Sequence, residues 1–134
     1  RGWQPVLTLG LLGGVVLALV QLAVARSIEP LYDIKPMALA IKQVQDEGHP
    51  VANIAKYHAQ YQFLGRLEAP LVELRGAMEL QWLTAHPNDY AVVYLKDTNG
   101  LESISARHKQ VYRGGAVVLV DTRTAVSLLA DHVE

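Results

Sequence analysis

Tyr90-Ala91-Val92-Val93-Tyr94-Leu95-Lys96 is the segment on which the fold turns. Its apolar residues stand side by side instead of alternating with polar ones, the pattern of a central strand covered on both faces. A strand covered in this way needs helices above and below its sheet, so the neighbouring sequence must supply them. Immediately upstream, Arg75 to His86 reads RGAMELQWLTAH. Met78, Trp82 and Ala85, with Leu83 beside them, predict a helical stripe that His86-Pro87-Asn88-Asp89 ends.

Downstream, Asp97-Thr98-Asn99-Gly100 is a turn, and Leu101 to Gln110 fits either one helical turn or irregular chain. Gln110–Arg113 and Ala116–Asp121 flank Gly114-Gly115, a hairpin signal. A last helix is expected from Thr122, with Ala125, Leu128, Leu129 and His132 on one stripe and Asp121 or Thr122 as its N-cap. Further upstream, Pro36 suits a first helical turn, Met37, Ala40, Ile41 and Val44 share one face, and Gly48 suits a left-handed C-terminal cap. His49-Pro50 then leads into a strand at Val51–Tyr57, with another at Leu71–Leu74. The reading is an α/β layered domain over residues 36–134, behind a connector at 27–35 interrupted by Pro30.

The first 26 residues are different. Val6 to Ala25, VLTLGLLGGVVLALVQLAVA, bears polar side chains only at Thr8 and Gln21. As a helix it would be about 30 Å long, the thickness of a bilayer core. Trp3 and Arg1 at one end and Arg26 at the other suit the two interfaces. Residues 1–26 are therefore expected to form a transmembrane helix with the lipid bilayer as partner. Gly10 and Gly14 have the spacing that lets a second helix approach closely. Ala23-Val24-Ala25 before Arg26 also fits a signal-peptidase site, although the apolar run exceeds the usual ~7 to 15 residues of a signal peptide.

Composition removes several functions. The chain has 134 residues, a net charge of -1 and no cysteine. Such a balance does not coat a phosphate backbone, so nucleic acid is not an expected partner. Without cysteine there is no disulfide, thiolate nucleophile or cysteine-based metal site. The sequence holds no GxSxG, Walker A, HExxH or GxGxxG motif. His132 and Glu134 fall short of a metal site, Glu29 and Asp33 read as connector charges, and no cofactor is expected.

One stretch concentrates chemistry: Tyr57-His58-Ala59-Gln60-Tyr61-Gln62-Phe63-Leu64-Gly65-Arg66. It follows the first strand, where α/β sheets place functional loops. Tyr57, His58, Tyr61 and Arg66 are the candidate substrate-binding residues, with rings for stacking and a guanidinium for phosphate. The competing reading has Tyr61, Phe63 and Leu64 closing the sheet while Arg66 pairs with Glu68 or Glu73.

The apolar helix, the YHAQYQFLGRLEAPLVEL segment (57–74), Trp82-Leu83, VVYLK (92–96) and YRGGAVVLVD (112–121) together resemble the C-terminal end of bacterial GT-C membrane glycosyltransferases, the aminoarabinose-transferase and protein-O-mannosyltransferase-like group. Tyr57, Phe63, Arg66, Tyr112, Arg113 and Gly114 carry the resemblance. It implies a polytopic enzyme of the bacterial inner membrane, with further transmembrane helices upstream as partners of the apolar one. It also implies a polyprenyl-phosphate-linked sugar as donor and an extracytoplasmic C-terminal domain. The family's catalytic carboxylates lie in an early loop that nothing here matches, so this segment is expected to be inactive alone and to lack any divalent metal of the full enzyme. A single-pass or secreted periplasmic binding module is the alternative.

Overall fold

The computed structural model describes residues 2–55 and 57–131, and the chain divides into two compact units, Arg1–Tyr32 and Asp33–Glu134. The first is a single helix, α1 (Gln4–Tyr32), long and apolar enough over Gln4–Glu29 to cross a membrane. Its two aliphatic hydroxyls are satisfied within the helix: Thr8 Oγ1 donates to Gln4 O at 2.9 Å and Ser27 Oγ donates to Ala23 O at 2.9 Å. Gly10 and Gly14 open a shallow apolar groove on one side, together with Val6, Leu7, Leu11, Val15 and Ala18. The connector expected over 27–35 is mostly helical, which corrects that boundary. Pro30 lacks an amide hydrogen and so removes one backbone bond, but it lies two residues from the end of α1 and the helix absorbs the loss. Only Asp33 and Ile34 separate α1 from the next helix.

The second unit is a mixed α/β domain. Its elements are α2 (Lys35–Asp46), β1 (Val51–Ile54), α3 (Gln60–Gly65), β2 (Val72–Leu74), α4 (Ala77–Ala85), β3 (Tyr90–Leu95), a 3-10 turn at Leu101–Ser103, β4 (His108–Tyr112), β5 (Gly115–Asp121) and α5 (Thr122–Asp131). The five strands lie in the order β2-β1-β3-β5-β4, with β1 parallel to both neighbours and β5 antiparallel to both of its own. β3 is central, as its unbroken apolar run requires. Ala91, Val93 and Leu95 pack with Leu83 of α4 and Ala125 of α5 on one face, while Val92 packs with Met37, Ile41 and Val44 of α2 and Tyr61 of α3 on the other. The result is a three-layer sandwich.

Local chemistry explains most of the boundaries. Pro36 occupies the first turn of α2, and Gly48 at φ +92° supplies the left-handed residue after its C-terminus. Asp121 caps α5, with Oδ1 accepting the Thr124 N–H at 3.0 Å and Oδ2 accepting Thr124 Oγ1 at 2.8 Å. The undecided stretch 101–110 resolves into the 3-10 turn and the start of β4. Ala38, not Ala40, is the fully buried alanine of α2.

Three expectations are corrected. The first strand ends at Ile54 and not Tyr57, because Ala55 turns away at φ +97°. On α4 only Leu83 is buried, whereas Met78 is 62% exposed and Trp82 stacks on His86 with ring centroids 4.1 Å apart. Trp82 is partly buried and packs against the same core cluster as Leu83, so the inward side of α4 centres on these two residues and leaves Met78 outside it. In the hairpin, Tyr112 pairs with Gly115, so the turn is Arg113-Gly114, at φ +50° and +83°. Two left-handed residues make the type I′ turn that matches strand twist. Gly115 serves another need, since a Cβ there would collide with the Leu95 carbonyl oxygen and stand 3.1 Å from the Lys96 carbonyl. His132 and Glu134 lie outside the described residues.

Candidate functional site

A cleft of about 400 Å³ opens at the carboxyl ends of the parallel strands β1 and β3, lined by Ala55, His58, Gln60, Tyr94, Tyr112 and Arg113. The chain leaves β1 toward β2 on one side and leaves β3 toward β4 and β5 on the other. Adjacent strands whose connections diverge leave a crevice between them, the usual place for a ligand in an open α/β sheet.

Beneath the cleft lies a hydrogen-bond network built on two tyrosines. Asn53 sits on β1 with no exposed surface, and its Nδ2 donates to Ala55 O at 3.0 Å. Tyr94 Oη donates to Asn53 Oδ1 at 3.1 Å and accepts from Gln60 Nε2 at 3.0 Å. Because the single Tyr94 proton goes to Asn53, the 2.7 Å bond between the two hydroxyls is donated by Tyr61. Gln60 is held at its other end by the His58 N–H, which donates to Oε1 at 3.0 Å. The wall of the cleft is thus fixed from below, with every polar atom of its base engaged.

Burial sets the protonation of this network. It raises the Tyr61 hydroxyl far above the ordinary phenol range, with the neighbouring Tyr94 adding to the effect. Burial raises Tyr94 as well, against the opposing hydrogen bonds from Tyr61 and Gln60. Tyr57 is also raised by burial, partly offset by the backbone amides of Gln62 and Tyr61. All three are neutral phenols at physiological pH; the Tyr61 and Tyr94 hydroxyls are hydrogen-bonded, whereas the buried Tyr57 hydroxyl has no hydrogen-bond partner among the described residues.

Backbone strain gathers around the same place. Ala55, Ala59, Arg66 and Arg113 all have positive φ without being glycine. Each such residue costs on the order of 1 to 3 kcal/mol and persists only where the surroundings enforce it. Ala55 and Arg113 line the cleft, and Ala59 starts the short helix that carries Gln60.

The candidates read from sequence separate in space. His58 lines the cleft and is exposed. Tyr57 is half-buried and stacks on Tyr61 with ring centroids 6.0 Å apart. Tyr61 is fully buried beneath the cleft, so it supports the wall and does not itself reach a ligand. Arg66 lies at the far end of α3 as its left-handed C-cap and is not among the cleft residues. Among the described residues Arg66 forms no ion pair with Glu68 or Glu73, and Glu73 pairs with Arg75 instead. Phe63 does not close the sheet either, being 85% exposed.

Sequence reading missed Asn53 and Gln60 as a pair with Tyr94, and it noted Tyr112 and Arg113 only for the hairpin and the resemblance. A polar Asn in the otherwise apolar Val51–Ile54 run was the available signal. The Arg113 guanidinium lies 5.1 Å from the Tyr112 ring centroid, a cation–π arrangement that orients the charge at the cleft mouth. Among the described residues no carboxylate lines the cleft. The described lining presents phenol, amide, imidazole and guanidinium groups, which can hydrogen-bond or pair with a polar or anionic ligand. Comparison with protein-family models, curated proteins and solved structures finds no match to the chain.

Proposed function

We propose that this chain is the last transmembrane helix and outer domain of a GT-C-type bacterial inner-membrane glycosyltransferase that uses a polyprenyl-phosphate-linked sugar and an extracytoplasmic acceptor. The observation that carries the proposal is the pairing of an apolar α1, whose described side chains are exposed, with a domain bearing a cleft lined by His58, Gln60, Tyr94, Tyr112 and Arg113. An apolar helix of this length needs a lipid or protein surrounding. The cleft would hold a sugar or phosphate group, with Gln60 and His58 donating or accepting hydrogen bonds and Arg113 facing negative charge. Catalytic carboxylates would come from elsewhere in the enzyme, with the cleft domain positioning donor or acceptor.

The test is sugar transfer by the complete membrane protein carrying Gln60→Ala or Arg113→Ala. Loss of one good polar contact of about 1.4 kcal/mol lowers kcat/KM roughly tenfold. Transfer rates equal to those of the unaltered enzyme, in protein shown to be folded, would refute a role for the cleft.

Ala23-Val24-Ala25-Arg26 favours a second reading, a secreted or single-pass periplasmic binding module. The apolar run, longer than the ~7 to 15 residues usual in a signal peptide, weighs against cleavage there. A mature N-terminus at Arg26, measured by mass, would select the second reading over the first.

A further inference from the structure

The most exposed large aromatic side chain in the described α/β domain is Phe63, on a helix too short to be stabilised by its own backbone bonds. α3 buries Tyr61 and Gly65 and turns Phe63 and Leu64 outward, at 85% and 44% exposure. Its attachment is tight at one point: a Cβ on Gly65 would stand 2.7 Å from the Ala38 carbonyl oxygen. Ala38 is the fourth residue of α2, so the outward end of α3 is pinned beside the end of the domain at which the chain enters from α1. Leu39, next to Ala38, is half exposed, like Leu64. Lys35 and Arg66, both exposed, bring cations to the same end.

Chain length narrows what can cover this end. Asp33 and Ile34 are the only residues between α1 and α2, so Tyr32 and Lys35 lie at most about 11 Å apart. If α1 crosses a bilayer, Arg26 to Tyr32 adds about 10 Å of helix beyond the apolar run, which brings the start of α2 to the outer margin of the headgroup layer. Apolar rings and leucines flanked by basic side chains at that level have the composition of an interfacial lipid contact.

We infer that the end of the domain formed by Phe63, Leu64 and Leu39, with Lys35 and Arg66, rests in the membrane interface. α3 thereby becomes a short wedge that fixes the domain on the lipid surface. Because α3 also carries Gln60, the wedge sets the cleft at a defined height above the bilayer, where the head of a lipid-borne ligand would lie. The inference rests on α1 being a membrane helix but does not require glycosyl transfer.

The absence of cysteine makes the test clean. Single-cysteine variants Phe63→Cys, Leu64→Cys, Asn99→Cys and Leu12→Cys of the full chain, each spin-labelled and reconstituted in nanodiscs with anionic lipid, are read by collision with oxygen and with a water-soluble nickel chelate. Phe63 and Asn99 are both exposed, so labelling leaves the fold intact, which circular dichroism confirms. The expected result places the Phe63 and Leu64 labels in the interfacial layer, accessible to oxygen and shielded from the nickel chelate, and the Asn99 label in water. A Leu12 label in the hydrocarbon with a Phe63 label as accessible to nickel as Asn99 overturns the wedge alone. A Leu12 label in water overturns the wedge and the membrane reading together.

Discussion

Tyr94→Phe removes one oxygen atom and should cost more than its size suggests. That hydroxyl donates to Asn53 Oδ1 and accepts from both Tyr61 and Gln60. Without it, Asn53 Oδ1 has no donor inside a fully buried residue, and the Tyr61 proton has no acceptor. Each buried group left unpaired costs about 1 to 3 kcal/mol, so the sum is about 2 to 6 kcal/mol, a large share of the ~5 to 15 kcal/mol that holds a typical domain. Tyr61→Phe removes only a donor, because Tyr94 still accepts from Gln60 and still donates to Asn53. It should cost about 0.5 to 1.5 kcal/mol. Denaturant unfolding of the full chain in nanodiscs, followed by circular dichroism with unchanged m-value, measures both. In thermal unfolding the Tyr94 variant should melt roughly 8 °C or more below wild type. If Tyr94→Phe costs no more than Tyr61→Phe, the direction assigned to the hydrogen-bond chain is wrong.

Three further outcomes follow from the same geometry. Gly115→Ala forces a methyl into the Leu95 carbonyl and should destabilise the domain by about 3 kcal/mol, whereas Gly13→Ala, with nothing within 4 Å of its added methyl, should leave unfolding unchanged. The folded chain holds the Tyr61 and Tyr94 protons above the ordinary phenol value of 10.0. Stability contributed by these groups is therefore complete below about pH 10 and declines as pH rises past it, and Tyr61→Phe should flatten that decline in alkaline denaturation. Asp121 is opposed by burial, but the hydrogen bonds from Thr124 outweigh it and hold the carboxyl below its ordinary value of 3.8. Its contribution is present above that value and is lost as pH falls through the lowered one. Asp121→Ala should remove about 1 kcal/mol at neutral pH and less in acid, read from unfolding midpoints at both pH values.

The layered fold was legible because hydrophobic pattern and punctuation agree along the chain. The unbroken run of β3, Pro36 and Gly48 around α2, and Asp121 before α5 each state a local rule that the tertiary structure obeys. The errors arose where a neighbour decides. Gly114-Gly115 reads as a turn in isolation, yet the register with β4 and the approach of Leu95 shift the turn to Arg113-Gly114. Phe63 reads as core by composition, but α3 has room to bury only Tyr61 and Gly65 against α2. The cleft was legible in part: His58 came from its position after the first strand, while the Asn53–Tyr94 bond joins residues 41 apart and no local pattern announces it.

The most direct test of the account is photo-crosslinking of a polyprenyl-phosphate sugar, carrying a reactive group on the sugar, to the complete protein in its membrane. The account predicts adducts at the cleft, on His58, Gln60 or Tyr112, that excess unmodified lipid-linked sugar suppresses and free sugar does not. Adducts absent from the cleft, or unaffected by lipid-linked competitor, would contradict it.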